Sequence, residues 1–225
     1  MVRPRLRVKA LLFDLDGTLV DSTRAYEAAG KAGFTAIGLS HSSIKTALEV
    51  AKQLEQGLTI DSAFAKLRLD HASLERFLSA YLNAYYSNVL LKSKSFPNVK
   101  ETLQTLSQRF PLALITLRYV LRDQVIEELK RLGLKKYFRA VVTALDVEKP
   151  KPFPDALLMA AEKLGVPINK CVIVGDSIAD IQAGKSAGAK TVAVLSGLFS
   201  RKELEKEKPD LIIKDIKPLP KFLCY

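Results

Sequence analysis

Nine residues, Asp14-Leu15-Asp16-Gly17-Thr18-Leu19-Val20-Asp21-Ser22, carry the chemistry most densely in this chain. They follow the apolar run Val8-Lys9-Ala10-Leu11-Leu12-Phe13, which reads as a buried strand. Two carboxylates, Asp14 and Asp16, thus stand two positions apart at a strand end, and side chains at i and i+2 of extended chain point the same way. Gly17 allows a sharp turn and a close ligand approach. Two carboxylates at one point repel unless something uses them. A hard divalent cation with oxygen ligands, such as Mg²⁺, is the natural user. Such a cation beside a turn of amides is a place to hold phosphate. An ordinary Asp-Gly turn is the plain alternative for the dipeptide alone.

The elements that must position these residues follow from the apolar pattern. Ile44, Ala47, Leu48, Ala51 and Leu54 recur at helical spacing, as do Leu74, Phe77, Leu78, Tyr81, Leu82 and Tyr85. No strand-like run lies between Asp21 and Leu90, so residues 21–94 read as an inserted helical block. From about Ser95, helices alternate with the short apolar strands Leu112–Thr116, Ala140–Thr143, Cys171–Gly175, Thr191–Val194 and Leu211–Ile213. That alternation predicts parallel βαβ units with both faces of the sheet covered. The fold class is α/β: a Rossmann-like core built from residues 1–20 and 95–225, with a helical cap at 21–94. Ligands bind at the carboxyl ends of such strands.

Reactive residues recur at those ends. Thr116 and Arg118 follow the second core strand. Lys149 lies in Glu148-Lys149-Pro150-Lys151-Pro152 after the third. Asp176 and Asp180 lie in Gly175-Asp176-Ser177-Ile178-Ala179-Asp180 after the fourth. Each alone has a plain reading as a cap or a solvated loop residue. Together with Asp14 and Asp16, they resemble the four motifs of the haloacid dehalogenase (HAD) superfamily phosphatases, in that family's order, from Phe13 to about Val194.

The resemblance implies roles. Asp14 would be the nucleophile, forming an aspartyl-phosphate. Asp16 would be general acid and then base. Asp14, the Asp16 carbonyl and Asp176 would hold Mg²⁺. Thr116, with backbone N–H groups near Gly17 and Leu117, would grip phosphoryl oxygens. Lys149 would neutralise charge on nucleophile and phosphate, and Asp180 would support the metal or Lys149. Dehalogenase and phosphonatase branches lack a carboxylate two residues after the nucleophile, so Asp16 argues for cleaving phosphate esters. An alkoxide leaving group needs a proton and a halide does not.

The family's helical insertion is a mobile cap, which places hinges at Asp21–Ala25 and Ser93–Pro97 and specificity within 21–94. The layout is most similar to phosphoglycolate phosphatases and their pyrophosphatase and sugar-phosphate phosphatase relatives. Many of these carry Asn after the motif-two Thr, where this chain has Leu117. Arg118 is therefore a candidate for the substrate's anionic part, with a surface residue or a core–cap ion pair as the alternatives. His41, opening a cap helix, is a second substrate candidate. A phosphoglucomutase-type transfer and a non-catalytic binding protein are the competing functions. The intact motif set argues against the second, and no Arg-rich cap loop supports the first.

Composition bounds the rest. The 225 residues are 48% hydrophobic, enough for one large or two small domains. Two cysteines imply no disulfide framework and fit a reducing, cytoplasmic setting. No signal peptide is read, and no run reaches the roughly 18 apolar residues of a membrane span. The net charge of +11 is spread over the chain. Residues 21–94 hold nine Lys or Arg against seven Asp or Glu. Solvated faces, or steering of an anionic substrate, account for this better than nucleic-acid binding. Gly184-Lys185-Ser186 is no nucleotide loop, because the glycine needed five residues before Gly184 is Ala179. The implied partner is a small phosphorylated metabolite, handled by a monomer or homodimer.

Overall fold

The computed structural model describes residues 5–39, 44–56 and 69–225. The chain forms two compact units, residues 1–20 with 95–225, and residues 21–94. In the larger unit, six strands form a wholly parallel sheet: β2 (Ala10–Phe13), β5 (Leu112–Ile115), β6 (Phe138–Val142), β7 (Cys171–Gly175), β8 (Lys190–Val194) and β9 (Leu211–Ile213). Their order is β6-β5-β2-β7-β8-β9. The chain builds outward from β2 through β5 to β6, then crosses back to β7. The strand order therefore reverses beside β2, where open α/β sheets place their ligands.

Period-two alternation sets the two faces of this sheet. Ala10, Leu12, Ala113, Ile115, Ala140, Val142, Cys171 and Ile173 share one face and pack on Ala156, Leu157, Ala160 and Ala161 of α6 (Asp155–Leu164). Leu11, Phe13, Leu112, Leu114, Val172 and Val174 alternate with them and are equally buried. Both faces are dry, which is why these strands read as unbroken apolar runs. The other helices of this unit are α4 (Val99–Ser107), α5 (Arg122–Arg131), α7 (Ile178–Ala187) and α8 (Arg201–Lys206).

The pairing of the chain's two terminal strands lay outside the sequence reading. β1 (Leu6–Arg7) pairs in parallel with β10 (Leu223–Cys224), and Arg7 Nε donates to the Tyr225 carbonyl at 3.0 Å. Two-residue strands carry too little periodicity to be seen in a sequence.

The smaller unit holds α1 (Thr23–Ala36), α2 (Ile44–Glu55) and α3 (His71–Lys92). An aromatic column organises it: Phe34 meets Phe77 edge-on, and Phe77, Tyr81 and Tyr85 stack along α3, with Tyr26 stacked on Tyr85. Gly33 admits this packing, since a Cβ there would lie 2.8 Å from the Phe77 ring. The two expected hinge stretches carry structure. Thr23–Ala25 are already the first turn of α1, and β3 (Val20–Asp21) pairs with β4 (Lys94–Ser95).

Candidate active site

Asp14 and Thr116 are held as extensions of the sheet. The Asp14 N–H donates to the Val174 carbonyl at 3.0 Å, and the Thr116 N–H to the Val142 carbonyl at 3.0 Å. Each side chain is thereby fixed one residue past its strand. Between Asp14 and Val20 the chain closes a tight loop. The Gly17 N–H donates to the Val20 carbonyl (2.9 Å), and the Val20 N–H to the Leu15 carbonyl (3.0 Å). Gly17 sits at φ +77°, and a Cβ there would lie 2.4 Å from the Asp176 carboxylate. Conformation and space both require glycine. Its N–H, however, is engaged by Val20 and is not turned to a ligand.

Asp176, at the end of β7, is cradled by this loop. The Thr18 hydroxyl donates to Asp176 Oδ1 at 2.8 Å. On the other side stands Gly197, where a Cβ would lie 1.6 Å from Asp176 Oδ2. The Ser196 hydroxyl donates to the Gly17 carbonyl at 2.7 Å, tying the loop after β8 to the loop after β2. Neither Thr18 nor the 196–197 pair was singled out from the sequence. The signal available was Thr18 inside the first motif and a glycine after the fifth core strand.

The cation beside Asp14 is Lys151, not Lys149. Lys151 Nζ donates to Asp14 Oδ1 at 2.7 Å and to Asp180 Oδ1 at 2.6 Å, wholly buried. Lys149 is exposed, its ammonium 5.8 Å from the centre of the Phe153 ring. Both lysines have suitable chemistry. The backbone path through Pro150 and Pro152 decides which one turns inward, and spacing alone does not read that path. Burial works against charge on Lys151, but the carboxylates of Asp14 and Asp180 outweigh it and hold the ammonium well above the ordinary lysine value.

Asp180 is committed on both oxygens. Besides Lys151 on Oδ1, its Oδ2 accepts from the Ser177 hydroxyl (2.6 Å) and N–H (3.1 Å), while Ser177 Oγ accepts from the Asp180 N–H. This closes a capping box at the start of α7. It makes Asp180 the anchor of Lys151.

The sequence left Arg118 as a substrate contact, a surface residue or one half of a core–cap ion pair. It is buried, and its guanidinium grips Asp16 in a fork, Nε to Oδ2 and Nη2 to Oδ1, both at 2.7 Å. On its far side it pairs with Glu128 of α5, which is also buried. Its N–H donates to Thr116 Oγ1 at 3.2 Å. Leu117 follows Thr116 in the same loop. His41 lies outside the described residues.

A divalent cation fits this donor set. Oxygens of Asp14, Asp176 and Asp180 lie within 4.8 Å of one another, and all three residues are buried. Their three formal negative charges face one lysine, a surplus of two that a divalent ion matches. The all-oxygen donors suit Mg²⁺. The Asp16 side chain is not one of that cluster; it pairs with Arg118.

Residues 11–194 match the family model for haloacid dehalogenase-like hydrolases. A phosphoglycolate phosphatase of Shigella boydii is 31% identical over 234 residues, covering 94% of this chain and 91% of the relative. Pyrophosphatase PpaX of Oceanobacillus iheyensis is 30% identical over 215 residues, covering 95% and 96%. Among solved structures, a hydrolase from Pseudomonas syringae superposes with a TM-score of 0.75 at 27% identity, covering 96% of this chain and all of the other.

Proposed function

The chain belongs to the haloacid dehalogenase-like hydrolases, and we propose that this phosphatase hydrolyses a small phosphate monoester through an aspartyl-phosphate on Asp14, with Mg²⁺ as cofactor. One observation carries the reading. Asp14 is a buried carboxylate at a sheet switch point, neutralised by a buried lysine and sharing an acidic cluster with Asp176. A carboxylate and a phosphate dianion repel, so attack needs positive charge around both. Lys151 supplies one such charge from the protein.

In this reading Asp14 attacks phosphorus as the ester P–O bond breaks. Asp16 gives its proton to the leaving oxygen, then takes one from the water that hydrolyses the aspartyl-phosphate, releasing inorganic phosphate. Thr116 holds a phosphoryl oxygen, and Asp180 keeps Lys151 in place. Asp14, Asp176 and the Asp16 carbonyl would hold Mg²⁺, which when bound neutralises phosphoryl charge. Substrate choice belongs to the 21–94 unit, which acts as the cap.

A phosphoglycolate-like substrate is supported by relatives named phosphoglycolate phosphatase, and pyrophosphate by the relative named PpaX. With Arg118 engaged by Asp16 and Glu128, a substrate carboxylate would be recognised by other groups. Phosphate release from a panel of phosphoglycolate, sugar phosphates, nucleotides, pyrophosphate and an aryl phosphate tests the reading. Free phosphate supports a hydrolase, while an isomerised sugar phosphate would support a mutase. No turnover on any ester would contradict the proposal.

A further inference from the structure

We propose that Arg118 is the positioning residue of this site, aligning the proton-transferring Asp16 with the phosphate-gripping Thr116, with Glu128 as its buried anchor. The inference rests on the reading of Asp16 as acid and base. Arg118 is tied at every polar group. Its guanidinium fork holds both Asp16 oxygens, its N–H donates to Thr116 Oγ1, and its carbonyl accepts from the Ala144 N–H at 3.2 Å. One residue thus joins the loops that follow β2, β5 and β6.

The chemistry of each contact suits positioning. A carboxylate has about four lone-pair sites, and a bidentate arginine takes one on each oxygen while fixing the carboxylate plane. Proton exchange at the other sites is compatible with the grip. A hydroxyl that accepts from the Arg118 N–H keeps its own proton for a phosphoryl oxygen. Glu128 occupies the opposite side of the guanidinium, so the fork stays aimed at Asp16. Lysine could supply the charge but not the fork. Such a buried group is costly to maintain, and its removal would leave two buried carboxylates facing each other.

Arg118→Lys and Glu128→Gln test this, with Asp16→Asn as reference, each monitored for folding by thermal melting. The comparison is of kcat/KM, which reads the phosphoryl-transfer step and not the later hydrolysis common to both esters, on an alkyl phosphate, whose leaving oxygen needs a proton, and on p-nitrophenyl phosphate, whose leaving group does not. General acid assistance is worth about 10²–10⁴-fold. Asp16→Asn should therefore lose the alkyl ester selectively. Arg118→Lys should show the same selectivity, about tenfold or more, and should add none in an Asp16→Asn background.

Equal loss on both esters, or a selective loss that persists without Asp16, would overturn the assignment. If Arg118→Lys does not fold, Glu128→Gln decides by the same comparison: a smaller selective loss supports the proposal, and an unselective one overturns it. If Asp16→Asn itself shows no selectivity, the acid role fails, and the positioning role falls with it. A selective Asp16→Asn beside an unselective Arg118→Lys would refute the positioning role alone.

Discussion

Lys151 Nζ lies 2.7 Å from Asp14 Oδ1 and is wholly buried, while Lys149, two residues earlier, faces solvent. Lys151→Met should therefore lower turnover by at least about 10²-fold, the scale of losing one preorganised charge-stabilising group. It should also destabilise the fold by about 3–5 kcal/mol, because Asp14 and Asp180 would be left buried without their shared cation. Lys149→Ala should keep turnover near that of the parent and stability within about 0.5 kcal/mol. Steady-state rates and denaturant melts on the two variants separate the roles.

Gly197 tests the cradle around Asp176. An alanine Cβ would stand 1.6 Å from Asp176 Oδ2, so the carboxylate must move. The expected result for Gly197→Ala is an Mg²⁺ requirement raised by about 10–100-fold, the usual cost of disturbing a ligand's support. Mg²⁺ titration of turnover measures it, and direct calorimetry of Mg²⁺ binding gives a readout independent of activity.

The aromatic column of the 21–94 unit makes a paired prediction. Phe77 is fully buried against Phe34 and Tyr81, so Phe77→Ala should cost about 3–5 kcal/mol in local stability. The Tyr81 hydroxyl is buried with no hydrogen-bond partner among the described residues. Tyr81→Phe should be neutral or stabilising, because an unsatisfied buried hydroxyl costs about 1–3 kcal/mol. Hydrogen exchange should show the Phe77→Ala loss in α1 and α3, with β7 protected as before.

Asp210 gives a pH signature. Although partial burial opposes it, the Thr191 N–H (2.8 Å) and hydroxyl and the Lys190 ammonium hold its pKa below the ordinary 3.8. A folded value below the unfolded one adds stability above the unfolded value, and that contribution is lost as pH falls through the folded value. Asp210→Asn should thus lower the melting temperature at pH 7. The gap should narrow below about pH 3.8 and close once pH falls beneath the folded value. Paired melts across that range check the sign.

The strand-end logic was legible in the sequence because both faces of the sheet are buried. Runs such as Leu112–Ile115 and Cys171–Gly175 announce parallel strands, and the polar residue after each stands out. Asp14, Thr116 and Asp176 were singled out that way. The choice between Lys149 and Lys151 was not legible, since it depends on a backbone path through prolines. Arg118 was noticed, but its direction was not, because its partner Glu128 lies ten residues on in a helix, and spacing does not show which way either side chain turns. Asp180 was noticed as well, yet its double engagement with Ser177 and Lys151 appears only in three dimensions.

The proposed reaction turns on phosphorylation of Asp14 with Mg²⁺ in support. The most direct test is Mg²⁺-dependent phosphate release by the parent and Asp14→Asn, with a phosphoryl adduct sought on the acid-quenched parent by mass spectrometry. The expected result is release that needs Mg²⁺ and a transient adduct on Asp14, with neither in Asp14→Asn. Undiminished turnover by Asp14→Asn would contradict it.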